Sequence, residues 1–186
     1  INTRSLMTNW LGGGSPYMPA LQGKKVPIEL SLAVHSDAGY NKDGKTTWGS
    51  LAICTTNFND GMLNSGISRM TSKDLAKALL KNLVSDLRQQ YGEFSERYLW
   101  DRNYSETRLP EVPAAIIETL SHQSFPDMKI GQDPMGKFTI ARSLYKTILR
   151  YVCTNHGLPY VVQPLAPNNF SVEIDAQGTA HLSWSP

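Results

Sequence analysis

LSLAVHSDAG, residues 30–39, is an apolar run that breaks off in polar groups: Leu30, Leu32, Ala33 and Val34 give way to His35, Ser36 and Asp37, then Ala38 and Gly39. With Pro27 before it and Gly39 after it, the run predicts a buried strand over residues 27–37. Open α/β folds place their ligands at the C-terminal ends of such strands. A lone histidine there is ordinarily a core residue satisfied by its own hydrogen bonds. A second apolar run, VPAAIIETL at residues 112–120, carries Glu118 and predicts a strand over 112–118. Two buried strands, each ending in a metal-competent or acid/base residue, point to one shared site.

Working outward, WGSLAICTT (48–56) reads as another strand, and a short one is predicted over 97–101. Leu75, Leu79, Leu80, Leu83, Val84 and Leu87 recur at helical spacing and predict a helix over 71–90, opened by a Thr71/Asp74 cap and closed by Gly92. Ile140, Leu144, Ile148 and Val152 predict another over 137–156, stopped by Gly157 and Pro159. Leu6, Met7, Trp10 and Leu11 suggest a first helix over 1–11, with an exposed loop over 12–26 and a wandering segment over 119–135. Strand, strand, helix, strand, helix implies an α/β protein: an open mixed or mostly parallel sheet flanked by helices.

Residues 159–186 have no helical period. Phe170, Val172 and Ile174 alternate with polar residues, as do Ala180, Leu182 and Trp184, giving two strands around Gln177 and Gly178. Following a Pro-containing linker, they resemble the opening of a fibronectin type III domain. The chain thus divides at residues 1–158 and 159–186.

Composition excludes several functions. A formal charge of +2 with 18% charged residues gives no footprint for nucleic acid or an anionic membrane. Gly12, Gly13 and Gly14 lack the Lys-Ser/Thr pair of a phosphate loop. In the Asn41, Asp43, Lys45 series a lysine occupies a ligand position, and no Glu closes the loop, so it is no calcium hand. Cys54 and Cys153 fall in apolar patterns and read as buried free thiols. No signal peptide or membrane span is visible.

The His35 segment resembles the S-I-H-A-N-A strand of zinc-dependent N-acetylmuramoyl-L-alanine amidases. Pro113, Ala114, Ile116, Ile117, Glu118, Leu120 and Ser121 resemble their P-A-V-L-V-E-x-G-F-L-S-N strand and turn. The likeness runs on through Asp127 and the Asp133–Pro134 pair, and Arg4 and Asn9 match an Arg and an Asn upstream. It departs at Asp37, Thr119 and His122, where the family has Asn, Gly and Asn.

The resemblance implies a peptidoglycan hydrolase that cleaves the N-acetylmuramoyl–L-alanine bond by zinc-assisted attack of water. It gives His35 the role of a zinc ligand and Glu118 that of the catalytic base. It implies zinc as cofactor, peptidoglycan or a muropeptide as substrate, and a periplasmic or extracellular bacterial setting. The family's other two ligands, a His and a Glu, precede the His35 strand and have no counterpart here. The amidase-like unit of residues 1–158 is therefore expected to lack an N-terminal part, and this chain alone to be inactive. Other readings are a zinc peptidase of related fold and a non-catalytic cell-wall-binding module. Three further residues stay open. Asp37 either orients His35, binds substrate, or caps its own loop. Arg108 either reaches the site or pairs with Glu106 or Glu111 at the surface. His122 either faces the site or is a surface residue.

Overall fold

The structure is a computed structural model and describes residues 2–15 and 22–185. Residues 16–21 of the loop expected over 12–26 lie outside the described residues. The elements, in order, are α1 (Thr3–Gly12), β1 (Ser31–Asp37), β2 (Ser50–Cys54), α2 (Met70–Tyr91), β3 (Glu96–Asp101), α3 (Ser105–Arg108), β4 (Ala114–Ser121), α4 (Phe125–Gln132), α5 (Pro134–Asn155), β5 (Asn168–Ile174) and β6 (Ala180–Ser185). Strands β1 to β4 form one sheet in the order β1-β4-β2-β3. The β1–β4 and β2–β3 pairs are parallel and the central β2–β4 pair is antiparallel. This is the open, mixed and mostly parallel sheet that the sequence predicts.

Side-chain alternation sorts the sheet into two faces. Ala52, Cys54, Ala115 and Ile117 meet the leucine stripe of α2 and Leu144 of α5. Leu51, Ile53 and Ile116 form a smaller cluster on the opposite face, with Ala33 and Trp100 beside it. Both cysteines are buried free thiols.

Five expectations need correction. The strand expected to be buried over 27–37 begins at Ser31 and, at the sheet edge, is only partly buried, with Val34 exposed. Strand β4 runs three residues beyond Glu118, because a buried carboxylate after it holds its end in place. Segment 119–135 contains helix α4, with Pro126 in its first turn, where a missing N–H costs nothing. Segment 93–111 contains the one-turn helix α3, too short to leave a periodic signal. Helix α2 lacks the Thr71/Asp74 cap: the Ser68 hydroxyl accepts from the Met70 N–H at 3.2 Å, and the Thr71 hydroxyl donates back to the Ser68 carbonyl.

The carboxylate that holds β4 is Asp127, fully buried in α4. Its Oδ1 accepts from the Trp48 N–H at 2.7 Å and the Ser124 hydroxyl at 3.0 Å. Its Oδ2 accepts from the Gly49 N–H at 3.0 Å and the Ser121 N–H at 2.9 Å. One side chain thereby ties the exit of β4 to the entry of β2. Gly49 has φ +86°, and a Cβ there would lie 2.0 Å from the Ser95 carbonyl oxygen, so only glycine fits.

The hairpin β5–β6 pairs Val172 with Leu182 and Ile174 with Ala180, around the turn at 175–178. Its apolar residues Phe170, Val172, Ile174, Leu182 and Trp184 are exposed.

Asp127→Asn keeps the shape of the clamp, but whichever way the amide turns, its NH₂ faces two donors. A stability loss of about 2–4 kcal/mol is expected from these unmet donors. Urea unfolding of the two proteins checks it; a shift under about 1 kcal/mol would mean that the clamp is not needed.

Candidate functional site

His35 and Glu118 are register partners on β1 and β4, and Glu118 is in turn the partner of Leu51 on β2. All three therefore lie on the face opposite α2. The His35 Nδ1 is 3.5 Å from Glu118 Oε1, a close approach rather than a formed hydrogen bond. The Thr119 hydroxyl donates to the His35 carbonyl at 3.1 Å and fixes the two strands at this level. The Glu118 side chain is only 13% exposed, and its Oε2 is buried without a hydrogen-bond partner. Burial pushes its pKa above the ordinary carboxylate value; His35 pulls it back and the charge of Asp37 adds to the rise.

Asp37 closes β1. Its Oδ1 accepts from the Ala38 N–H at 2.8 Å, and Oδ2 pairs with Arg97, which reaches across from β3. Burial raises the Asp37 pKa, but Arg97 and the Ala38 N–H outweigh burial and hold it below the ordinary value. Asp37 is thus a loop cap and an arginine partner, and the bonds of its carboxylate do not orient His35. The Arg97 guanidinium also stacks 4.5 Å from the Trp48 ring centroid, next to the clamp on Asp127.

His122 is not brought to this site. Its Nδ1 meets the Ser36 hydroxyl at 3.2 Å, and it lines a cavity with Val34, Leu120, Met128 and Ile140. Val34 and Ser36 alternate with His35 along β1, so His122 sits behind the strand. Arg108 is not brought to it either, nor does it pair with Glu106 or Glu111. It donates to Asn103 Oδ1 at 3.0 Å and stacks over Phe58.

Two residues here were not named as site residues in the sequence reading. Arg97 is one. The other is Glu106 of α3, whose Oε2 is 3.4 Å from His35 Nε2 while Oε1 accepts from Arg4 at 2.8 Å. A cavity of about 280 Å³ opens there, lined by Arg4, Ser5, Thr8, Ala33, His35 and Glu106. Helix α1 is anchored above it by Asn9, whose amide donates to the Leu109 carbonyl at 2.8 Å and accepts from the Glu111 N–H at 2.9 Å. The signal that could have found Glu106 is the N-x-S-E-T-R run at 103–108 beside the Glu118 strand, but it has no periodicity to mark it.

No family model matches the chain, and no curated protein matches it. Solved structures do. The N-acetylmuramoyl-L-alanine amidase from Clostridium difficile 630 superposes with a TM-score of 0.54 at 17% identity, over 81% of this chain and 63% of that one. The fold is shared with these amidases. The corresponding enzyme from Mycobacterium smegmatis gives 0.51 at 16% identity, over 68% of this chain and 55% of that one. The catalytic domain of an amidase from Bacillus (Paenibacillus) polymyxa var. colistinus gives 0.50 at 14%, over 67% and 58%. The chain spans less than two thirds of the length of each. At these identities the likeness establishes the α/β architecture.

Zinc, which the sequence resemblance implies, can be set against the donors present. A catalytic zinc takes three protein ligands and an open position. Among the described residues no group of three His, Cys, Asp or Glu side chains is placed to hold a metal ion. His35 Nε2 and Glu118 Oε2 are buried and unpartnered, which is one imidazole and one carboxylate. The described residues do not make a zinc site by themselves.

The raised pKa of Glu118 has a testable sign. Folding favours its protonated form, so stability falls as pH rises through the raised pKa. Glu118→Gln does not titrate. Its stability relative to the unaltered chain is expected to improve as pH rises from the ordinary carboxylate value through the raised one and then to level off, read as denaturation midpoints across that range. A flat or shrinking difference would show that the fold favours the carboxylate.

Proposed function

We propose that this chain is the part of a peptidoglycan amidase that carries the proton-transferring carboxylate and one metal-ligand histidine. The observation that carries the reading is the register pair of His35 and Glu118, with Nδ1 and Oε1 at 3.5 Å, on a sheet shared with N-acetylmuramoyl-L-alanine amidases. The bond cleaved is the amide between N-acetylmuramic acid and L-alanine, in a bacterial cell wall, with the protein periplasmic or extracellular. No helix among the described residues is long and apolar enough to cross a membrane.

Amide hydrolysis needs a group that takes a proton from water and returns it to the leaving amine. Glu118 is suited to this, because burial lifts its pKa toward the operating range and leaves one oxygen unengaged. Zinc would supply the Lewis acid that polarises the amide carbonyl. His35 is the side chain of this chain offered to it, and the remaining ligands would come from outside the chain. The two β-strands at 168–185 open a fibronectin type III-like unit on this reading.

The lack of a three-donor group among the described residues favours a second reading, a cell-wall-binding module that kept the pocket without the chemistry. Zinc content separates the two. In the longest natural polypeptide that contains this chain, zinc-dependent release of muropeptides from purified peptidoglycan is expected. Glu118→Gln should keep the zinc and lower turnover by roughly a hundredfold or more, the loss typical of a missing general base. His35→Ala should lose zinc and activity together. Near-normal hydrolysis by Glu118→Gln would remove Glu118 from the mechanism; absence of both zinc and hydrolysis in the unaltered protein would leave the binding module.

A further inference from the structure

The His35 ring stands between two carboxylates on different elements: Glu118 of β4 on its Nδ1 side and Glu106 of α3 on its Nε2 side. A neutral imidazole has one N–H, and the hydrogen-bonding environment decides which nitrogen carries it. The two carboxylates differ in how they are held. Glu106 is fixed twice. Its side chain is held through Oε1, which accepts from Arg4 Nη1 at 2.8 Å. Its backbone is held through α3, where the buried Thr107 hydroxyl lies 2.7 Å from that of Thr55 and the Ser105 carbonyl accepts from the Ser5 hydroxyl at 3.1 Å. Glu118 lies in the floor of the sheet, and no arginine of the described residues is in contact with its oxygens.

We propose that Glu106 is the positioning residue for His35: held by Arg4, it accepts a hydrogen bond from Nε2–H and so leaves Nδ1 as the lone-pair nitrogen on the Glu118 side. His35 Nε2 is buried without a hydrogen-bond partner, and the Glu106 oxygen 3.4 Å away is within reach of it once the carboxylate turns toward the ring. A carboxylate on one ring nitrogen fixes the ring's orientation and raises the basicity of the other. This is the role that the sequence offered to Asp37, which the structure occupies with Ala38 and Arg97. Arg4 and Glu106 thereby join helices α1 and α3 to the His35 ring.

The inference rests on the reading of His35 as a residue of the reaction site, but its test needs neither metal nor turnover. Ring ¹⁵N–¹H long-range correlations are recorded on the labelled chain at about pH 9, above the ordinary imidazole range. His35 is identified by the signals that vanish in His35→Gln. The unaltered chain is expected to show the Nε2–H pattern. Glu106→Ala is expected to lose it to the Nδ1–H form or a mixture, and Arg4→Ala, at a side chain that is 77% exposed, to shift it the same way with the fold intact. Glu118→Gln should leave it in place, so a failure of the hydrolytic reading and a failure of this one are told apart. An Nδ1–H ring in the unaltered chain would overturn the proposal. So would an Nε2–H pattern that persists in both Glu106→Ala and Arg4→Ala, or in Arg4→Ala alone if Glu106→Ala does not fold.

Discussion

Burying a carboxylate is costly unless its oxygens are met by donors. Asp127 is met by four: the N–H groups of Trp48, Gly49 and Ser121 and the hydroxyl of Ser124. Three of these are backbone groups at strand ends that have left their ladder partners, and they would otherwise be orphaned. Much at this edge depends on the clamp. It sets how far β4 runs beyond Glu118, and it brings in the start of β2, whose Trp48 ring then receives the Arg97 guanidinium. The Arg97–Asp37 pair in turn spans from β3 back to the end of β1. An aspartate outside the site thus braces the end of the sheet at which His35 meets Glu118.

The strands were legible because burial writes directly into composition. β2 and β4 are apolar on both faces, and runs such as LAIC and AAII leave few other readings. The same holds for the stripe of α2. What was not legible lies where a few specific bonds replace periodicity. Helix α3 has four residues and one buried side chain, Thr107, and nothing in S-E-T-R marks a helix. Helix α4 has Asp127 and Ile130 as its buried residues, and it forms because a carboxylate, not an apolar stripe, docks it. The cap at the helix α2 start was misread for a related reason. The chain enters that helix through Arg69, a buried guanidinium that donates to the carbonyls of Met62 and Arg108.

The same distinction runs through the site. His35 and Glu118 could be named because each terminates an apolar pattern, and parity along β1 and β4 then puts them on one face. His122 was named on proximity to Glu118 in sequence, but β4 ends at Ser121 and the chain turns there, so spacing beyond that point says nothing about facing. Glu106 and Arg97 were invisible because both are charged residues in segments with ordinary surface composition. Only the sheet order β1-β4-β2-β3 and the placement of α3 bring them to His35 and Asp37.

Three carboxylates crowd this end of the sheet, and how each is compensated separates their roles. Glu106 is in contact with Arg4, and Asp37 with Arg97 and the Ala38 N–H. Each is paired with a specific cation and is committed to holding structure. Glu118 is buried with an imidazole at 3.5 Å and without an arginine of the described residues in contact with its oxygens. Desolvation is therefore the largest influence on it, and its proton affinity rises where that of Asp37 falls. Pairs of titratable groups pushed in opposite directions by their surroundings are how one fold divides acid–base labour. An arginine in contact with Glu118 would make it a third structural carboxylate. Without one, burial sets the direction in which its proton affinity moves.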